Sequence, residues 1–86
     1  MEYNQLFLGG VYRIASVHHP VFANLVGREV VAVKISGGSV WCSENKPVTY
    51  RTNRLGRRVL DHDPRCCMSL YSPEQLEPAA GVARAF

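Results

Sequence analysis

The stretch over residues 28–43, REVVAVKISGGSVWCS, constrains this chain more than any other part of it. It joins the densest run of β-branched residues to a Gly37-Gly38 pair and to the only tryptophan, Trp41. β-Branched side chains suit a pleated, half-buried surface, and paired glycines accept the positive φ angles of a two-residue reversal. The stretch therefore predicts a β-hairpin at the centre of a small sheet. Period-two alternation puts Val31, Val33 and Ile35 on the inward face of the first strand and Val30, Ala32 and Lys34 on the other. On the return strand, residues 39–43, Val40 and Cys42 turn inward and Trp41 outward, either as a cover over the N-terminal residues or as an exposed platform for a ligand.

Around this hairpin, punctuation divides the chain into short elements. Residues 1–10 form a lead-in, with Leu6, Phe7 and Leu8 laid over the edge of the core and Gly9-Gly10 turning the chain. VYRIASV, residues 11–17, alternates as a first strand with Tyr12 and Ile14 on one face. It stops at His18-His19-Pro20, because proline lacks a donor and restricts its predecessor. Residues 18–27, HHPVFANLVG, hold more apolar side chains than a solvated connection needs, which predicts a loop folded back on the core. Residues 44–56, ENKPVTYRTNRLG, carry few apolar positions and read as a long loop or an extended hairpin tip, followed by a short strand over residues 57–61. DHDPR turns the chain around Pro64, and CCMSLY is the last strand, with Cys66, Met68 and Leu70 sharing a face. SPEQLE then starts like a helix: Ser72 as N-cap, Pro73 at the first helical position, Gln75 where a capping box wants it. Pro78 ends that element after about one turn, and Leu76 plugs one end of the core. Residues 79–86 are expected as a flexible tail whose Phe86 can dock on a neighbour.

An 86-residue chain supports one core, so residues 1–78 are expected to form a single domain. No apolar run approaches the ~20 residues needed to span a bilayer. Glu2 and Asn4 interrupt the start, which carries no secretory pattern, and a cytoplasmic protein without membrane contact is expected. Cys42, Cys66 and Cys67 are an odd set that suits a reducing compartment. Together with His18, His19 and His62 they show no C-x-x-C or H-x-x-x-H spacing, so neither a metal nor another cofactor is expected. Asp61-His62-Asp63 comes without a nucleophile or a phosphate loop and reads as a polar turn, so the expectation is a protein that is not an enzyme and has no catalytic residues.

Short strands, a long loop after the first, a central hairpin and one helical turn before the final Leu76-Glu77-Pro78 resemble an SH3-like barrel over residues 9–78. The resemblance implies an all-β fold: a small five-stranded SH3-like barrel with a one-turn helix before the last Leu-Glu-Pro. GREVVAVKISGG, residues 27–38, is similar to the first half of the KOW motif of ribosomal and transcription proteins, which implies an RNA or ribonucleoprotein partner. The motif continues with lysines where Ser39-Val40-Trp41 stands here. SH3-like barrels that take proline-rich peptides place acidic residues in the first long loop, and HHPVFANLVG has none. The small plasmid-borne dihydrofolate reductases are similar in length and fold; their Val-Gln-Ile-Tyr strand is Met68-Ser69-Leu70-Tyr71 here, without the glutamine.

Charge supplies the strongest functional signal. Lys46, Arg51, Arg54, Arg57, Arg58 and Arg65 face only Asp61 and Asp63 over residues 46–65, a local net charge of +4, while the rest of the chain nets −1. Arginine favours bidentate recognition of phosphate or carboxylate, Thr52 and Asn53 add polar donors, and Tyr50 adds a stacking surface. The expected function is a non-catalytic binding module that contacts nucleic acid or a ribonucleoprotein through Lys46, Tyr50, Arg51, Arg54, Arg57, Arg58 and Trp41. The alternative is a protein-interaction or self-assembly module, a homo-oligomer included, with Trp41, Phe22 and Phe86 anchoring an apolar interface. An accessory protein of a phage or mobile element fits either.

Overall fold

The computed structural model describes residues 5–84. Phe86, named above as a possible anchor, lies outside the described residues. Strands β1 (Val11–Ile14), β2 (Glu29–Ser36), β3 (Ser39–Glu44), β4 (Thr49–Thr52), β5 (Arg58–His62), β6 (Ser69–Tyr71) and β7 (Leu76–Pro78) follow one another with short 3₁₀ turns at Pro20–Leu25, Pro64–Cys66 and Pro73–Gln75. The fold is all-β. Five strands form one antiparallel sheet in the order β6-β3-β2-β1-β7, and β4 and β5 form a second, two-stranded sheet of their own. The strand count is thus seven where five were expected, and the main sheet is open: β6 and β7 stand at opposite edges and do not pair to close a barrel.

The central hairpin forms as the glycine pair requires. Ser36 pairs with Ser39 across a two-residue loop in which Gly37 and Gly38 have φ of 60° and 79°, the double positive φ that matches the twist of the flanking strands. Val40 and Cys42 enter the core beside Tyr12, Ile14, Tyr71 and Leu76. The inward set of β2 differs from the alternation expected. A bulge between Ala32 and Lys34 shifts the register, so Val30 and Ala32 face the core before it and Ile35 after it. One extra residue reverses side-chain parity, which no count of alternation reveals. Val31 is fully buried as well, from the opposite face of the sheet.

What covers that opposite face is the segment expected as a tail. The Ala79 N–H donates to Val11 O at 3.2 Å, Asn45 Nδ2 donates to Val82 O at 3.1 Å, and the Arg84 N–H donates to Asn45 Oδ1 at 2.9 Å. At Gly81 a Cβ would lie 2.5 Å from Glu29 Oε1 and 3.1 Å from Val11 Cγ1. Residues 79–84 therefore run across the sheet from β7 towards the end of β3, over the row Val11, Val31 and Ser43.

Two apolar segments depart from expectation, and a third keeps its shared face but turns it outward. Of Leu6, Phe7 and Leu8 only Leu6 is buried; Phe7 turns out and meets Tyr12 edge to face, while its N–H donates to the Tyr12 hydroxyl at 3.0 Å. In residues 18–27 the turn Pro20–Leu25 buries nothing fully, and only Leu25 packs on the core, joined by Val17 just before the loop. Cys66, Met68 and Leu70 are exposed, because Pro64–Cys66 takes a 3₁₀ turn and pairing begins only at Ser69, where Val40 opposite Tyr71 sends Tyr71 inward. The final turn starts as its signature requires but ends at Gln75, and Leu76–Pro78, expected to complete it, instead forms strand β7 beside β1, after what was expected as the last strand. Gln75 Oε1 accepts the Ser72 N–H at 2.9 Å, and Leu76 plugs the core.

Candidate functional site

The most unusual part of the molecule is the hairpin β4–β5. The molecule measures 49 × 27 × 25 Å and has a radius of gyration of 14.6 Å, against about 12 Å for a compact domain of this length. The excess length fits an arm that shares no hydrogen-bond ladder with the main sheet. Tyr50, Leu55 and Leu60 are 51%, 81% and 53% exposed, so the arm does not bury the apolar surface it carries. At its root Pro64 is fully buried, and the Asp63 carboxylate accepts the Arg65 N–H at 3.0 Å.

The tip is ordered by one side chain. Asn53 Oδ1 accepts the N–H groups of both Leu55 and Arg57 at 2.9 Å, the Asn53 N–H donates to Arg57 O at 2.9 Å, and Gly56 closes the turn at φ 75°. This is a three-residue reversal with glycine in the left-handed position. Asn53 was expected to offer donors to a ligand; its carbonyl oxygen instead holds the turn that presents Arg54 and Leu55 at the apex.

Cross-strand pairing sorts the arm's side chains. Tyr50 opposes Leu60 and Thr52 opposes Arg58 on one face, whereas Arg51 opposes Val59 on the other. The Arg58 guanidinium lies 4.3 Å from the Tyr50 ring centroid, a cation–π contact. Arg51 Nε lies 3.8 Å from Asp61 Oδ1, a long and exposed pair worth about 0–1 kcal/mol. Among the described residues Arg54 and Arg57 have no ion-pair partner. Four arginines against one aspartate give residues 49–62 a net charge of +3.

The structure thus gathers Tyr50, Arg51, Arg54, Arg57 and Arg58 on the arm and leaves two expected contacts elsewhere. Lys46 precedes the arm and pairs with Glu44 at 3.0 Å; the same carboxylate meets Arg28 at 3.3 Å, and its pKa is held low chiefly by the Lys46 hydrogen bond. Trp41 is half-buried on the main sheet, between Lys34 and Leu70 in one cross-strand row. Arg65 is matched by Asp63, with Nη2 2.7 Å from Oδ2, and that hydrogen bond holds the Asp63 carboxyl below its usual range. Sequence reasoning missed Leu55 and Leu60 as exposed arm residues; Asn53 and Gly56 spaced around two residues were the available signal.

Of the three free cysteines, Cys42 is buried, and desolvation pushes its thiol pKa up to about 12, while Cys66 and Cys67 are exposed. Among the described residues no three His, Cys, Asp or Glu side chains converge as a metal site, and no helix is long and apolar enough to cross a membrane.

These features define a small antiparallel β domain that carries a basic two-stranded arm. The chain belongs to the KlcB C-terminal domain family, whose model matches residues 11–77 and so takes in both the sheet and the whole arm. It is similar to two proteins named Protein KlcB from Escherichia coli, 52% identical over 65 residues and 50% over 68. Those matches cover 73% and 77% of this chain and 16% and 15% of the relatives, so the chain spans about a sixth of the length of the curated relatives it matches. No solved structure matches it.

Proposed function

We propose that this domain is a non-catalytic nucleic-acid-binding module that works through its arm. The observation that carries the reading is the charge on the arm tip: among the described residues Arg54 and Arg57 lie without ion-pair partners near Arg58, on a hairpin that forms its own sheet. A ribbon with two such arginines at its tip suits phosphate contacts, which supply most sequence-independent affinity. The strand order, with a one-turn 3₁₀ helix between β6 and β7, supports the SH3-like reading of the main sheet, with the arm inserted between β3 and β6. Three free cysteines fit a reducing, cytoplasmic setting. The same reading accommodates an accessory component of a phage or mobile element.

The test is fluorescence anisotropy of labelled oligonucleotides in a salt series. Arg54 and Arg57 on phosphates give log K against log salt a slope of about −1.8, and each further phosphate contact adds about −0.9. Absence of binding at low salt and high micromolar protein would overturn the proposal.

A protein-interaction reading has one observation in its favour. Phe22 and Leu70, 53% and 52% exposed, line a single groove of about 270 Å³ with His18, His19 and Tyr71. A monomer whose Phe22→Ala variant retains every partner would remove that reading.

A further inference from the structure

We infer that the arm takes double-stranded DNA and enters its major groove; this rests on the nucleic-acid reading above and names its target. The first argument is shape. The arm is a narrow ribbon, two strands about 4.8 Å apart with side chains on both faces and only an open depression around Tyr50, Thr52 and Arg58, and its length and positive charge call for a concave, negatively charged site. The B-form major groove, about 12 Å wide and about 8.5 Å deep, admits a two-stranded ribbon. Four residues at about 3.3 Å each, extended by the tip, span that depth. The major groove of A-form RNA is too narrow and deep for side chains to read.

The second argument excludes single strands. Proteins that hold them use a groove with open aromatic platforms. Tyr50 is the only Phe, Trp or Tyr over residues 49–62, and the Arg58 guanidinium already covers one face of its ring. The third excludes a second copy of the arm, since two arms of net charge +3 repel each other.

Pairing then orients the ribbon. Asp61 shares a face with Arg51 and Val59 and draws on the Arg51 guanidinium, which leaves that face with fewer free donors for the purine O6 and N7 acceptors. The opposite face carries Thr52, Arg58, Tyr50 and Leu60: donors for guanine O6 and N7 and apolar surface for the thymine methyl. This face reads the base edges, with Arg58 held in place over Tyr50, while Arg54 and Arg57 at the tip meet phosphates.

The experiment compares one 25-base-pair sequence as duplex DNA, duplex RNA and single-stranded DNA, using the full 86-residue chain, and then challenges the DNA complex with methyl green, a major-groove ligand, and distamycin, a minor-groove ligand. Duplex DNA is expected to bind about tenfold tighter than the others and to be released by methyl green alone. Arg58→Lys, which keeps the charge and loses the fork, is expected to keep the salt slope while weakening preference among duplex sequences. Equal binding to RNA or single strands, or release by distamycin, would overturn the groove assignment and leave the nucleic-acid reading standing. Failure to bind any of the three would overturn both.

Discussion

The Arg58 guanidinium sits 4.3 Å above the ring centroid of Tyr50, and the two side chains occupy the same face of the arm on opposite strands. The contact matters because a two-stranded ribbon without a packed face is only marginally stable in water. An exposed cation–π pair contributes about 0.5–1 kcal/mol, which is a large share of what holds such an element together. Tyr50→Ala is expected to speed hydrogen exchange at the β4 and β5 amides while leaving the β2 and β3 amides unchanged. Equal acceleration in both sheets would show that the arm opens only with the rest of the molecule.

The tip should respond sharply to its two specialised residues. Gly56→Ala places a Cβ at φ 75° and is expected to cost the arm about 1 kcal/mol, and Asn53→Ala leaves the Leu55 and Arg57 amides without their acceptor. Both variants are expected to weaken oligonucleotide binding while the melting temperature of the main sheet moves by less than about 4 °C. Unchanged affinity in both would separate binding from tip order.

Charge matching predicts which cations count. Arg54→Ala and Arg57→Ala are each expected to reduce the magnitude of the salt slope by about 0.9, since each removes one phosphate contact. Lys46→Ala is expected to leave it unchanged, because that ammonium is already held 3.0 Å from Glu44. Equal effects at Lys46 and Arg54 would contradict this division.

Burial separates residues of similar hydrophobicity. Leu76→Ala empties a site that is 1% exposed and is expected to destabilise the protein by about 2–5 kcal/mol in urea unfolding. Leu55→Ala, at 81% exposure, is expected to change stability by no more than about 0.5 kcal/mol. A comparable loss in both would mean that the arm tip packs against the sheet.

Alkaline stability has a definite sign. The folded state holds the Cys42 thiol neutral, with a pKa near 12 against 9.0 unperturbed, and burial also raises Tyr71. Above pH 9 the unfolded chain therefore binds fewer protons than the folded one, and stability present below pH 9 is lost as pH rises towards 12. Thermal melts at intervals across that window are expected to show a steady fall. Ellman's reagent at pH 8 is expected to label Cys66 and Cys67 promptly and Cys42 only on unfolding.

The elements written most plainly in the sequence were those with local punctuation. Gly37-Gly38 set the hairpin, Val40 and Cys42 followed by parity, and Ser72-Pro73-Gln75 marked the one-turn helix before Leu76. Parity failed where the backbone added a residue, the bulge near Val33 that moved Val30 and Ala32 inward, and held for Met68 and Leu70, which share the outer face. The arm read as a loop or hairpin tip for a physical reason. A ribbon whose side chains are nearly all exposed has no strongly buried face, so it carries little alternation to detect. Its arginines were legible as a charge run and Trp41 was placed on the central hairpin, but the pairing of Lys46 with Glu44 depends on a contact that a run of residues does not encode.

The separation of the two sheets bears on how such a domain can diversify. Side chains on β4 and β5 are exposed except for the half-buried Val59, and none belongs to the cluster formed by Tyr12, Val40, Tyr71 and Leu76. Substitutions there escape the packing constraints that restrict a core, so the arm can vary its surface at little cost in folding free energy. Selection for a new ligand and selection for a folded chain then act on different residues, and neither has to wait for the other.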